Sequence, residues 1–446
     1  MSHAISKGLA LAIAAAPLFI ACGGGTASAP TTINAPQCSG SSCGVQGPPA
    51  EGATASLCPA TADIVNSTYL GGAGSGEIAS VHIDAVAMTY TLKWYESPIP
   101  LAAGNVTPTR AGTTITGSVM HPPAGTLPTA EQTRCAFILE PGAGTAAATG
   151  GTYSTSSTFN SANPPMILIG HGVAGGGIPG AEVQYPGVAG LFAVPERKFD
   201  FYPFIGFAQI DTHLPDLQGT YNALLYHIQP SDSWAQAGIN AVETFDANGN
   251  CSSTSGCKTT GGAWTASTSG SYFASSSPPK IVNGAQIGQS AQAHMVIGQL
   301  NGAIVPVVVR TGNANPSQLA VDDESGIALL TAAQSLASGG FDGAYAGADS
   351  NFKYTATLIQ GGLGSFVNPS TSAQESGFAL QYGLSSPGLV GVTDQQGNAG
   401  FAIASGGLYA ILIQGEENGG ITASSGTVGQ TTSSVPYFGI GALVSK

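Results

Sequence analysis

Residues 167–177, Ile-Leu-Ile-Gly-His-Gly-Val-Ala-Gly-Gly-Gly, run from an apolar stretch into a His-Gly pair and a run of glycines. Loops of this composition form oxyanion holes in esterases, where backbone N–H groups face a developing negative charge. Such an enzyme also needs a serine on a tight strand-to-helix turn. Gly288-Gln289-Ser290-Ala291-Gln292 is the nearest match, but it ends in Gln292 where a glycine is required. The fold that uses this turn places an acid and then a histidine after the serine. Only His294 follows Ser290, with no acid between them. The expectation is therefore that His171 and Ser290 carry no catalysis and that the glycines serve backbone geometry. An envelope serine hydrolase remains a lesser alternative.

Metal chemistry has equally thin support. Asp211 and His213 alternate, so on one strand they point the same way and could join His171 or His227. No further ligand spacing accompanies them. Asp322-Asp323-Glu324 and Glu416-Glu417 are acidic spots without the alternating ligands and glycine of a calcium loop, and they read as solvated loop charge. Trp94, Trp234 and Trp264, with Tyr95 and Tyr226, either line a ligand cavity or fill a β core, and filling is the expectation. No cofactor or metal is expected.

Seven cysteines are present: Cys22, Cys38, Cys43, Cys58, Cys135, Cys251 and Cys257. An odd number in an exported chain leaves one to explain. Phe19-Ile20-Ala21-Cys22 resembles a bacterial lipobox, although Phe19 stands where Leu is usual. Ahead of it lie Lys7 and an apolar run of about 12 residues, too short for a bilayer, which takes roughly 20. This is the pattern of a secretory signal. With Cys22 carrying lipid, six cysteines remain. Cys38 with Cys43, Cys251 with Cys257, and Cys58 with Cys135 is the favoured pairing among the 15 that six cysteines allow. A zinc site is disfavoured, because no Cys-x-x-Cys occurs.

The elements that would position these residues are strands. Met88, Tyr90, Leu92 and Trp94 alternate with Thr89, Thr91, Lys93 and Tyr95, which is period-two patterning. Similar runs recur down the chain, punctuated by Asn248-Gly249, Asn301-Gly302, Gly397-Asn398 and Ser405-Gly406-Gly407 turns. Only Ser325–Ala337 suggests a helix. A Gly-x-Tyr core recurs at Gly219–Tyr221 and Gly343–Tyr345, with a looser relative at Ser67–Tyr69, each ahead of a strand group. The fold expected is all-β, with antiparallel meanders forming one or two barrel- or sandwich-like units. The domains expected are a signal peptide (1–21), a Gly/Ser/Pro-rich tether (22–57), an N-terminal β unit (58–217) and a C-terminal β unit (218–446).

Charged residues make up only 8% of the chain, and the net charge is −13. A chain with 11 cations and no basic patch is not built to neutralise phosphates, so neither nucleic acid nor anionic headgroups are expected as partners. A transmembrane β-barrel is disfavoured by the 7% aromatic content and by uneven strand lengths.

Five stretches carry a wider likeness: residues 89–100 (TYTLKWYESPIP), 109–117 (TRAGTTITG), 129–139 (TAEQTRCAFIL), 200–209 (DFYPFIGFAQ) and 219–231 (GTYNALLYHIQPS). Through them the chain resembles a family of uncharacterised putative lipoproteins from betaproteobacteria, a domain of unknown function. The resemblance implies an envelope location and transfers no catalytic residue. The reading is a lipid-anchored outer-membrane protein, periplasmic or surface facing, more suited to binding or structure than to catalysis. A small-ligand β-barrel carrier is the first alternative. The membrane, reached through the N-terminal lipid, is the one partner expected.

Overall fold

The structure is a computed structural model. It describes residues 57–446 except 128–129, 189–191, 252–262, 283–286, 289, 316–319, 368–373, 396, 415, 418–419, 422–434 and 446. Cys22, Cys38, Cys43, Cys257 and the signal and tether segments before residue 57 lie outside the described residues, as do the side chains of Glu416 and Glu417.

Eight strands between Thr68 and Phe207 close a barrel. They are β1 (Thr68–Ala73), β2 (Ile78–Asp84), β3 (Thr89–Glu96), β4 (Thr114–Met120), β5 (Ala136–Leu139), β6 (Met166–Ile169), β7 (Val173–Pro179) and β8 (Phe201–Phe207). The order around the wall is β3-β2-β1-β8-β7-β6-β5-β4, and β4 returns to pair with β3. Closure removes the free edges that an open sheet presents. The alternating strand directions sort the connections into two ends. The upper end carries the β1–β2 turn and the long β3–β4 connection. The lower end carries the arriving chain at Leu57–Ser67, the β2–β3 turn at 85–88, the 121–135 loop and the β6–β7 turn. Tyr69, Trp94, Phe137, Tyr202 and Phe204 fill the lumen and are almost wholly buried.

A central sheet follows. Its main strands are β9 (Gly219–Gln229), β10 (Ala235–Phe245), the short β11 (Phe273–Ser275), β12 (Gln292–Leu300), β13 (Ala303–Thr311) and β14 (Ser325–Ala332), in the order β10-β9-β14-β13-β12-β11. Both faces are buried. Leu224, Val307 and Leu329 lie on one face, packed with Leu70 and Phe207 from the first barrel. Ala223, Met295 and Leu330 lie on the other, beneath Trp264, Ile281 and Val282. Two apolar faces leave no polar alternation in the sequence. This is why the run Ile327-Ala328-Leu329-Leu330 reads as helical, and why the expected helix at 325–337 is instead the strand β14.

Eight strands between Gly343 and Ser445 close a second barrel: β15 (Gly343–Asp349), β16 (Tyr354–Gln360), β17 (Leu363–Val367), β18 (Gln374–Gln381), β19 (Val390–Asp394), β20 (Ala399–Ser405), β21 (Leu408–Gln414) and β22 (Pro436–Ser445). Tyr345, Phe366, Phe378, Tyr409 and Tyr437 fill it. Its outer wall presents Leu412, Phe438 and Ile440 to the same face of the central sheet that holds the first barrel. The all-β expectation therefore stands. The Gly-x-Tyr cores open β9 and β15, and the looser relative opens β1. Asn301 and Gly302 have φ of 51° and 78°, the turn that Asn-Gly favours between paired strands. Cys58 and Cys135 form a disulfide with Cα atoms 5.7 Å apart. Closing that loop contributes about 4 kcal/mol in the chain-entropy picture. Cys251 is also disulfide-bonded.

Three five-residue hairpins share one design. Asp246, Asp349 and Asp394 each donate a backbone N–H to the carbonyl four residues on, and each accepts that residue's N–H on Oδ1. The fourth position needs a left-handed backbone. It is Gly249 (φ 74°) and Gly397 (φ 86°) in two hairpins, but Phe352 (φ 59°) in the third. An aromatic residue there is strained. The compensation is packing: the Phe352 ring meets Phe199 at 4.9 Å, and the Arg197 guanidinium lies 5.5 Å from its centre. The hairpin thereby wedges the second barrel against the first.

Asp349, at the base of this wedge, is 1% exposed, and its Oδ2 has no hydrogen-bond partner. Burial raises its carboxyl to about 7, against the N–H groups of Lys353 and Asn351 and the charge of Lys353, while Glu375 adds to the rise. A raised pKa in the folded state stabilises fully below the ordinary value near 3.8, and that contribution is lost as pH rises through 7. Asp349→Asn keeps the Oδ1 acceptor and removes the titration. Its melting temperature should exceed that of the wild type by a margin that grows from pH 5 to pH 8. Thermal unfolding followed by circular dichroism at both pH values checks this, and a constant margin would count against it.

Candidate functional site

The glycine run lies in the β6–β7 hairpin of the first barrel. Gly172 has φ 79° at the turn, and Val173–Pro179 is buried throughout. At Gly176 φ is 122°, and an added Cβ would lie 2.3 Å from the Met166 carbonyl oxygen. At Gly175 the nearest atom to such a Cβ, on Ile205, is 3.4 Å away, an ordinary contact. The run thus lets two strands approach. His171 lies beside Val173, Leu300 and Leu443, with the Glu131 carboxylate within electrostatic reach.

The other sequence candidates are scattered. Asp211 accepts the His213 N–H and a Gln299 amide proton, and His213 pairs with Asp216 at the surface. His227 bonds Glu324 inside the central sheet. These groups therefore share no metal site. Cys58, Glu131 and Cys135 lie together, but the two sulfurs are spent in the disulfide.

The acidic triplet overturns its expectation of solvated charge. Asp322, Asp323 and Glu324 are all buried. Asp322 pairs with Arg310 at 2.6 Å and accepts the Ala291 N–H. Asp323 accepts both the N–H and the hydroxyl of Ser231 at 2.7 Å. Glu324 accepts from the Ile281 and Val282 N–H groups and from His227. Burial works against the Glu324 charge, yet the hydrogen bond from His227 and the charge of Arg310 hold its carboxyl below the usual range. Burial pushes His227 below its ordinary value, against the opposing pull of Glu324. Such satisfied charges tie the loops to the sheet.

One constellation has the outline of a nucleophile, base and acid. Thr311 Oγ1 is 2.9 Å from His294 Nδ1, and His294 Nε2 is 3.7 Å from Glu96. The Thr311 hydroxyl donates its proton to the Gly76 carbonyl, so it accepts from His294. Burial pushes His294 down to about 4 and raises Glu96, which also accepts from Tyr272. A hydroxyl that cannot give its proton to the histidine is no nucleophile.

The polar group with the most elaborate support lies at the upper end of the first barrel. Glu77, just after the β1–β2 turn, takes a bidentate pair from Arg110 Nε and Nη2, both at 2.7 Å. It also accepts from Ser75 at 2.7 Å and Ser97 at 2.5 Å. Arg110 lies 4.2 Å over the Trp94 ring and donates to the Gly180 carbonyl. Glu77 and Arg110 are both fully buried. The β3–β4 connection springs from this base as a hairpin. Arg110 N–H bonds Ile99, Leu101 N–H bonds Pro108, and the tip is tied by Gly104 N–H to Gln184.

A cleft opens on each side of the hairpin. One, of about 60 Å³, lies between Ile99, Val106 and Tyr202 on one wall and Ile228 and Trp234 on the other, with Asn313 and Asp323 at its edge. Ser233 and Trp234 both have left-handed backbones (φ 54° and 63°), and the indole N–H is fixed to the Pro195 carbonyl. The other cleft, of about 310 Å³, is open and is lined by Leu101, Pro108, Ala146 and Tyr153. Asn105 touches both. Among the described residues no Lys, Arg or His lines either cleft, and the nearest cation on a lining residue is Arg197, 5.5 Å from the centre of the Trp234 ring. Of the aromatic residues singled out from the sequence, Trp94 fills the barrel, Trp264 covers the central sheet and Trp234 lines the cleft. Sequence reasoning missed Glu77 and Arg110. The one available signal was Arg110 as a rare cation inside a stretch that carried the family resemblance.

Arg110→Met should destabilise the fold by about 3–5 kcal/mol, because Glu77 is left charged and unpaired in the core. Adding Glu77→Gln should recover much of the loss. Chemical denaturation of the single and double variants checks this, and additive losses would argue against the pairing.

A family profile described as "Protein of unknown function (DUF2957)" matches residues 89–442. No curated protein matches the chain. Among solved structures, the chain is similar to a Trp-176-Ala mutant of the vaccine antigen Transferrin Binding Protein B (TbpB) from Haemophilus parasuis Hp5. The identity is 10%, the match covers 84% of this chain and 75% of that one, and the TM-score is 0.18. A likeness that slight carries no weight for shape or role.

Proposed function

The chain belongs to the DUF2957 family, and from that footing we propose that it is a lipid-anchored binding protein of the outer membrane, not an enzyme. The observation that carries this reading is the placement of the two ends of the first barrel. The chain arrives from its N-terminal segment at the lower end, and the hairpin clefts lie at the upper end. A lipid on Cys22 and a tether over 22–57 would then hold the barrel by one end and present the clefts at the other. The clefts suit a ligand with an apolar face and a few polar groups, since their described lining combines aliphatic and aromatic walls with Asn105, Asn313 and Asp323. The filled lumens favour a cleft binder over a carrier that encloses its ligand within a barrel. Against catalysis stand the scattered histidines and the spent hydroxyl of Thr311. The expected units over 58–217 and 218–446 are kept here as the two parts presented.

Labelled palmitate should enter the wild-type protein and be absent from Cys22→Ser. The purified Cys22→Ser chain should turn over short-chain nitrophenyl esters no faster than background. Label that persists in the variant would end the lipid anchor. Ester turnover abolished by His171→Gln, with the fold intact by circular dichroism, would revive the hydrolase.

A further inference from the structure

The lower end of the first barrel carries apolar side chains that are exposed among the described residues. Val86, in the β2–β3 turn, is 72% exposed, and Met120, at the end of β4, is 43% exposed. They are neighbours. Thr89 pairs with Ser118, and the Val119 N–H bonds the Met88 carbonyl, so Met120 comes level with the turn. Ala87, Pro123 and Ala124 extend the patch and are exposed as well. The turn is held in shape. Asp84 Oδ1 accepts the N–H groups of Val86 and Ala87, and Met88 adopts a left-handed backbone at φ 56°. A rigid turn that displays a valine outward gains nothing from it in water.

The described chain begins at this same end, and its start is fastened there. Leu57 N–H bonds Glu131 at 3.0 Å. Arg134 donates to the carbonyls of Cys58 and Pro59, and Cys58 is bonded to Cys135. All three partners belong to the loop that begins just after Met120. The 56 residues before Leu57 contain the lipobox-like Cys22.

We infer that the Val86–Met120 tip is a bilayer contact, resting in the headgroup region of the membrane to which Cys22 is anchored. This rests on the lipid-anchored reading. With the tether expected from composition, the anchor and Leu57 would lie within roughly 30 Å, which would keep the tip near the surface at high effective concentration, so that a shallow contact suffices. Residues 85–88 and 120–125 contain no Lys or Arg, so the contact is apolar and indifferent to anionic lipid. Its consequence is orientation: the barrel stands on its lower end, and the hairpin clefts face away from the bilayer.

The test uses the full lipidated chain in phosphatidylcholine vesicles, with and without phosphatidylglycerol. Val86→Cys carries an environment-sensitive fluorophore, and Leu363→Cys, at a position 67% exposed on the second barrel, carries the same label as a control. Quenching by lipids bearing a nitroxide near the headgroup should be several-fold stronger at position 86 than at 363 and equal in the two vesicle types. Adding Met120→Asp should lower it to the control value. Flotation of the vesicles reports anchoring separately. Protein that floats yet is quenched equally at both positions overturns the contact alone. Protein that does not float overturns the anchor and the contact with it. Quenching that requires phosphatidylglycerol overturns the apolar mechanism.

Discussion

The two-sided burial of the central sheet is the constraint on which the rest of the molecule depends. One face holds Leu224, Val307 and Leu329 against the outer walls of both barrels. A barrel that packs in this way must be apolar outside as well as inside along the strands that touch the sheet. Tyr69 and Leu70 illustrate this on β1, with one side chain in the lumen and the next against the sheet. Close approach sets further demands. A Cβ on Gly72 would lie 2.6 Å from Val309, so that strand can meet the sheet only as glycine. High apolar content, abundant glycine and few charges follow from burying so many sheet faces.

The few charges that remain inside are therefore committed to structure. Glu77 and Arg110 brace the hairpin at the upper end of the first barrel, and Arg310, Asp322 and Glu324 fasten loops to the central sheet. In a chain with 8% charged residues, such networks mark where irregular backbone had to be fixed without secondary structure. The clefts flank one of these braced loops. Their walls owe their shape to a salt bridge that lines neither of them.

Much of the architecture was legible in residue order because it rests on local rules. Alternation exposed β3, Asn301-Gly302 exposed a hairpin, and cysteine arithmetic paired Cys58 with Cys135. What escaped depended on distant partners. Asp322–Glu324 looks solvated until Arg310, Ser231 and His227 are brought to it. Ser325–Ala332 looks helical because both of its faces are buried. The clefts were illegible for the same reason, since Ile99 and Trp234 are far apart in sequence and neither has an unusual neighbourhood. The stretches that carried the family resemblance contain Trp94, Ser97, Arg110 and Tyr202, so the likeness tracked the brace and the barrel core, not a reactive group.

Barrel closure also dictates an order of assembly. β1 pairs Leu70 with Phe207 of β8, so the first barrel has no complete wall until the eighth strand is available. Contacts this distant in sequence make for slow folding with exposed strand edges in the interim. The Cys58–Cys135 bridge needs only the first half of that segment. In an oxidising compartment it can cross-link β1 to β5 through their leading residues while β6–β8 are still arriving. A chain threaded from its N-terminus would then carry a covalent bookmark around its first four strands, which shortens the search the last strand has to make.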